Sequence, residues 1–146
     1  MIDKKWIGYT GPEVRFDIER GRLKFFAQAI GESNPIYLDQ GAAQAAGYRD
    51  LPVPPTFLLA ADLDSNELFS TLAKMGVSLG KILHGEQGYT YYQPVCAGET
   101  VTVCSRISDI YDKKGGALEF IIRDSSVTNA SGELAAEFRS VIVVRN

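Results

Sequence analysis

Apolar positions recur along this chain with two different periods, and the change falls near Leu83. Before it the spacing is helical. In "DIERGRLKFFAQAIG", Leu23, Phe26, Ala27 and Ile30 stand at i, i+3, i+4 and i+7, which predicts one helix with a single apolar stripe. Asp17 is its expected N-cap and Gly31 the residue that ends it. A short second helix is expected over "DQGAAQAAG", capped by Asp39 and closed by Gly47. "DLPVPPT" is expected to be extended, because each proline fixes its own φ and disfavours helix in the residue before it. "TFLLAADL" is apolar nearly all round, the pattern of a helix buried on every side. Ser65 is the expected cap of a further helix, "NELFSTLAKMG", with Leu68, Leu72 and Met75 on one face and Gly76 at its end.

Beyond Leu83 the period is two. "ETVTVCSRISDI" puts Val101, Val103 and Ile107 on one face, with Thr102, Cys104, Arg106 and Ser108 opposite. "ALEFIIRDSSV" places Leu118, Phe120 and Ile122 together, and "LAAEFRSVIVV" does so for Ala136, Phe138, Ile142 and Val144. "DKKGG" and "TNASGE" separate these runs with turn chemistry. With "HGEQGYTYYQP" the count is at least four antiparallel strands following the helices, an α+β chain in which a curled sheet wraps the apolar helix. Val141 and Val143 lie opposite Phe138 and Val144, so the sheet is expected to be covered on both faces near its end, which dimerisation would achieve.

At 146 residues the chain is the size of one domain, taken as 1–146, and 45% hydrophobic with 23% charged residues is an ordinary globular balance. The net charge of -3 and the short basic pairs Lys4-Lys5 and Lys113-Lys114 give no basis for binding nucleic acid or anionic lipid. No apolar run approaches the roughly 20 residues of a membrane helix, and "MIDKKWIGYTGPEV" has no signal-like apolar region. Cys96 and Cys104 are expected to be thiols in a reducing cytoplasm. With His84 as the single histidine, no metal site is expected.

The sequence has no GxSxG, Walker, GxGxxG or HExxH motif. Neither cysteine sits at an expected helix N-terminus, so covalent catalysis is not predicted. The stretch that attracts chemistry is "IGESNPIYLD". There the first helix delivers Glu32, Ser33, Asn34, Pro35, Ile36 and Tyr37 onto a proline-stiffened loop. Adding water to a double bond conjugated with a thioester requires a group that holds water and moves a proton. It also requires a donor at the oxygen where enolate charge develops. The start of the buried helix offers the backbone N–H of Thr56 for the second role, with Phe57 beside it. Pro55 has no N–H to give.

Three segments give the chain its resemblance to the MaoC-like (R)-specific hydratase/dehydratase family of hot-dog proteins, in particular the N-terminal dehydratase branch. They are "GESNPIYLDQGAAQAAGYRDLPVPPTFLLA", "LHGEQGYTYYQPVCAGETV" and "GALEFIIRDSSVTNASGELAAEFRSVIVVR". The likeness runs from about Tyr9 to Arg145. It implies a long central helix wrapped by an antiparallel sheet and pairing of two such units. It also implies a coenzyme A or acyl-carrier-protein thioester as ligand, no cofactor, and hydro-lyase activity in fatty acid metabolism. Active members of the family carry Asp-x-Asn-Pro-x-His, whose Asp and His hold the catalytic water. Here Glu32 stands for the Asp and Tyr37 for the His, Asn34 and Pro35 match, and Thr56 takes the place of the oxyanion glycine. Tyrosine titrates near ~10 and imidazole near ~6.5, so the exchanged residue does not pass a proton at neutral pH.

Catalytic positions are therefore assigned to Glu32, Tyr37 and Thr56, and substrate contacts to Asn34, Phe57, His84 and Tyr89, with Tyr91 and Tyr92 as further tunnel aromatics. Each has a plainer role available: Glu32 a solvated helix end, Asn34 a turn former, His84 a strand-edge side chain, the aromatics core. The leading expectation is a subunit that binds the acyl chain while a partner hot-dog chain supplies the intact Asp and His. The alternatives are a self-sufficient homodimer using Glu32 with Tyr37 or His84, and a non-enzymatic acyl-CoA or acyl-carrier-binding module. A thioesterase ranks below these, with Asp62 the nearest helix-borne acid.

Overall fold

The computed structural model describes residues Met1–Asn146. Five antiparallel strands form one sheet in the order β1-β3-β4-β5-β2: β1 Val14–Asp17, β2 Ile82–Tyr91, β3 Thr100–Lys113, β4 Leu118–Thr128 and β5 Leu134–Arg145. The helices are α1 Arg20–Ala29, α2 Gln40–Ala45, α3 Ala60–Asp64 and α4 Glu67–Lys74. The chain is α+β, as the two periods predict.

The first strand was not legible in the pattern. Asp17, expected to cap the first helix, instead pairs with Thr100 at the end of β1, and Glu19 holds the N-cap position of α1. Leu23 and Ala27 are buried as expected, while Ile30, the last residue of the expected stripe, is exposed because the chain turns away there. Gly31 ends this turn at φ 72°, a conformation glycine adopts without strain. Asp39 caps α2 by accepting from the Ala42 N–H at 2.8 Å.

The central helical stretch is segmented. A 3-10 turn over Phe57–Leu59 runs into α3, and the path breaks at Asn66, which is left-handed at φ 58°. Asn66, not Ser65, is the N-cap residue of α4. Ser65 spans the break: its hydroxyl donates to the Asp62 carbonyl and accepts from the Glu67 N–H. On α4, Leu72 is buried, with Leu68 and Met75 packed against the same cluster.

Two apolar clusters lie between these helices and the sheet. One gathers Phe16, Leu23, Leu51, Phe57, Leu58, Val101, Val103, Val127, Ala136 and Phe138. The other gathers Leu72, Val77, Ile107, Ile110, Ile121, Ile142 and Val144. A polar rank separates them on the inner face, where Ser105 stands opposite Ser125 and Arg123 opposite Ser140. β4 turns outward the face that its apolar alternation predicts. Its inner face carries Ile121, Arg123, Ser125 and Val127, since these pair with the inward residues Ile142, Ser140, Phe138 and Ala136 of β5. Leu118, Phe120 and Ile122 face outward. With apolar residues on both faces, alternation alone does not say which face is in.

The rank is bound to the helices. Asp62 on α3 is 1% exposed and forms an ion pair with Arg123, 3% exposed. Ser105 donates to the same carboxylate at 3.4 Å, and Thr71 donates to Glu67 at 2.7 Å. Burial drives the Asp62 carboxyl above its ordinary range, opposed by Arg123 and the Ser105 hydroxyl. No helix is long and apolar enough to cross a membrane. Cys96 is buried and Cys104 half-buried, and both are free thiols.

Candidate active site

The Glu32–Tyr37 loop is held by its own side chains. Glu32 continues from α1 through an N–H donated to the Ala27 carbonyl at 2.9 Å. Its carboxylate then accepts from the Ser33 and Asn34 amides at 2.9 and 2.8 Å. Asn34 accepts from the Ile36 N–H at 3.2 Å, and Pro35 begins a tight 3-10 turn that ends at Tyr37. The carboxylate and amide at these positions therefore shape the loop.

Tyr37 lines a cleft of about 360 Å³ with Tyr48, Pro52, Pro55, Tyr91 and Gln93. The loop after α1 and the entry to the central helix meet in this one space. Burial, then the neighbouring Tyr48 phenol and the Glu32 carboxylate, raise the Tyr37 phenol above its ordinary range. At neutral pH Tyr37 is a hydrogen-bond donor and not a base.

At the entry to the helix, Phe57 donates its N–H to the Pro54 carbonyl at 2.9 Å. Its ring is buried and meets Phe26 edge to face at 5.3 Å. Phe57 is thus a turn donor and a core residue. The Thr56 N–H makes no hydrogen bond within the chain, and Thr56 is exposed. Its surroundings are fixed from β2: Tyr91 donates its hydroxyl to the Pro55 carbonyl at 2.7 Å and Tyr89 donates to the Thr56 carbonyl at 2.9 Å. Burial pushes the Tyr89 phenol up to about 12 and raises Tyr91 as well, where Tyr89 and Tyr37 add to the effect.

His84 is elsewhere. It lines a separate apolar recess of about 160 Å³ with Leu59, Leu63, Phe69, Leu83 and Ile142. Its Nε2 lies 2.9 Å from the Gln87 side-chain oxygen. The sequence reading missed Tyr48 and Gln93 as cleft residues. Tyr48 follows the glycine that ends α2, and Gln93 follows the β2 aromatics, but only the fold brings both to the cleft. The cleft wall accordingly carries the phenols of Tyr37, Tyr48, Tyr91 and Tyr92, and Thr56, with its unpaired amide N–H, directly follows the lining residue Pro55. Neither Glu32, whose carboxylate is engaged by backbone amides, nor His84 lines the cleft.

A family profile described as FAS1-like, dehydratase domain region, matches residues 5–138. A UPF0336 protein of Parafrankia sp. (strain EAN1pec) is 36% identical over 146 residues, covering 99% of this chain and 95% of the relative. Among solved structures, the HadBC (3R-hydroxyacyl-ACP dehydratase) complex of Mycobacterium tuberculosis superposes with a TM-score of 0.80 at 23% identity. That match covers 94% of this chain and 96% of the other. The ChsH1-ChsH2 complex of the same organism gives 0.69 at 21% identity, covering 93% and 84%.

Proposed function

The chain belongs to the FAS1-like dehydratase-region family and has the hot-dog fold of the MaoC-like dehydratases, and on that premise we propose that it is the acyl-holding subunit of a hydratase/dehydratase acting on acyl thioesters. Its cleft takes the acyl group and the Thr56 N–H receives the thioester oxygen. A partner hot-dog chain carries the intact Asp and His that handle water. The ligand is a thioester of coenzyme A or of an acyl carrier protein.

The observation that carries this reading is the meeting of Tyr37 and Pro55 in one cleft that contains no imidazole. Glu32 keeps its carboxylate on the loop amides, and catalytic geometry is unforgiving of a displaced base. The thioesterase alternative finds its acid already engaged, since Asp62 is paired with Arg123. A place for the partner is available. β2 ends the sheet with one edge unpaired, and beside it Leu63 and Leu83 are each 46% exposed. An open edge with an apolar margin favours pairing with another strand. HadBC and ChsH1-ChsH2 are complexes of two differently named chains, which supports the same arrangement.

The test is coexpression with a hot-dog chain bearing the intact Asp-x-Asn-Pro-x-His loop, followed by copurification and an enoyl-CoA hydration assay. Turnover that needs both chains supports the proposal. Full turnover by this chain alone would replace it with a self-sufficient homodimer. Binding without turnover in every pairing would leave a non-enzymatic acyl-thioester module.

A further inference from the structure

We infer that Tyr91 is a positioning residue for the oxyanion donor, acting through the peptide unit that joins Pro55 to Thr56. The inference rests on the reading of the Thr56 N–H given above. A peptide unit is planar, and its carbonyl and N–H point in opposite senses. The Pro55 carbonyl and the Thr56 N–H belong to the same unit. Tyr91 donates to that carbonyl at 2.7 Å, so the hydroxyl fixes the plane and with it the direction of the N–H. A carbonyl that accepts a hydrogen bond is polarised, and the N–H of its unit becomes a stronger donor by about 10–30%.

Tyr89 provides an internal contrast. It donates to the Thr56 carbonyl, which shares its unit with the Phe57 N–H. That N–H is already given to Pro54, so Tyr89 steadies the turn without aiming a free donor. Both phenols are raised above their ordinary range and stay protonated through neutral pH, so each hydroxyl remains a donor. β2 thus reaches the helix entry with two hydroxyls, of which one is aimed through to an unpaired amide. Tyr91 lines the cleft, and the N–H that it fixes lies on the opposite side of the peptide unit from its hydroxyl. Pro55 contributes a fixed φ and no competing N–H on that side.

The experiment uses the full chain and 2,4-hexadienoyl-CoA, whose absorbance moves to the red when its thioester carbonyl is polarised. The wild-type chain is expected to bind the probe with a red shift. Tyr91→Phe keeps the ring, and is expected to lose most of the shift while the dissociation constant changes by less than about tenfold. Tyr89→Phe is expected to lose the smaller part. Equal losses in the two variants mean a common clamp and overturn the inference. A shift fully retained in Tyr91→Phe overturns it as well, leaving Thr56 as the donor. Absence of any shift in the wild-type chain overturns the reading of Thr56 itself, and the inference falls with it.

Discussion

At the residue scale the proposal turns on Glu32 and Tyr37, which stand where the resemblance implies aspartate and histidine, and the structure gives each side chain a physical consequence. Glu32 accepts two loop amides within its own turn. Tyr37 is a phenol raised by burial, so it donates without accepting a proton at neutral pH. Restoring both groups, as Glu32→Asp with Tyr37→His, is expected to raise enoyl-CoA hydration by the full chain, followed as loss of conjugated-enoyl absorbance. General acid–base catalysis sets the scale at about 10²–10⁴-fold. An unchanged rate in a folded double variant would mean that the remainder of the cleft has diverged too. The loss of a neutral-pH proton carrier at Tyr37 is visible in the letters of the loop, but the engagement of Glu32 depends on which amides close around the side chain.

At the element scale, two polar ties fix the segments that carry the site. Asp50 accepts from Arg20 at 3.0 and 2.5 Å, from Gln40 at 3.2 Å and from the Leu51 N–H at 2.7 Å. It thereby joins the starts of α1 and α2 to the segment that leads to Pro55. The Arg20 guanidinium holds the Asp50 carboxyl below its ordinary range. A carboxyl lowered by folding contributes stability above its unfolded value of ~3.9, and that contribution disappears as pH falls through the folded value. The midpoint in urea should therefore carry the full contribution of this tie near neutrality, without changing with pH there, and fall in acid, and Asp50→Asn should lower the neutral plateau and flatten the acid limb. The second tie is Asp62–Arg123, buried between α3 and β4. Arg123→Met leaves a carboxylate alone in the core, at an expected cost of ~3–5 kcal/mol by urea unfolding. Asp62→Leu combined with Arg123→Met should recover most of the loss, because one Arg123 nitrogen is already without a hydrogen-bond partner.

At the scale of the whole molecule, β2 leaves one edge of the sheet unpaired, the edge at which we propose the chain meets another. The opposite edge is different: β1 is short, and the backbone of Gly8 and Gly11 continues the bonding along β3 by donating to Ile107 and Ser105. Leu83→Lys places a charge beside the free edge, and sedimentation should show association weakened by more than about tenfold. Leu134→Lys, on another exposed leucine, should leave the assembly intact, with circular dichroism reporting the fold in both. Much of the fold was legible without coordinates. Helical spacing before Leu83, period two after it, the caps at Gly31 and Asp39, and the inward set Val101, Val103, Phe138 and Val144 all depend on local backbone preference and on water driving apolar side chains together. What stayed hidden was long-range. The pairing of Asp17 with Thr100, the inward turn of Arg123 onto Asp62, and the separation of His84 from Tyr37 are decided by register and by which surfaces close on each other. The amide left free at Thr56 is of the same kind. Periodicity identifies apolar faces, but burial of a charge and the freedom of one N–H depend on partners distant in sequence, and only the packed chain selects them.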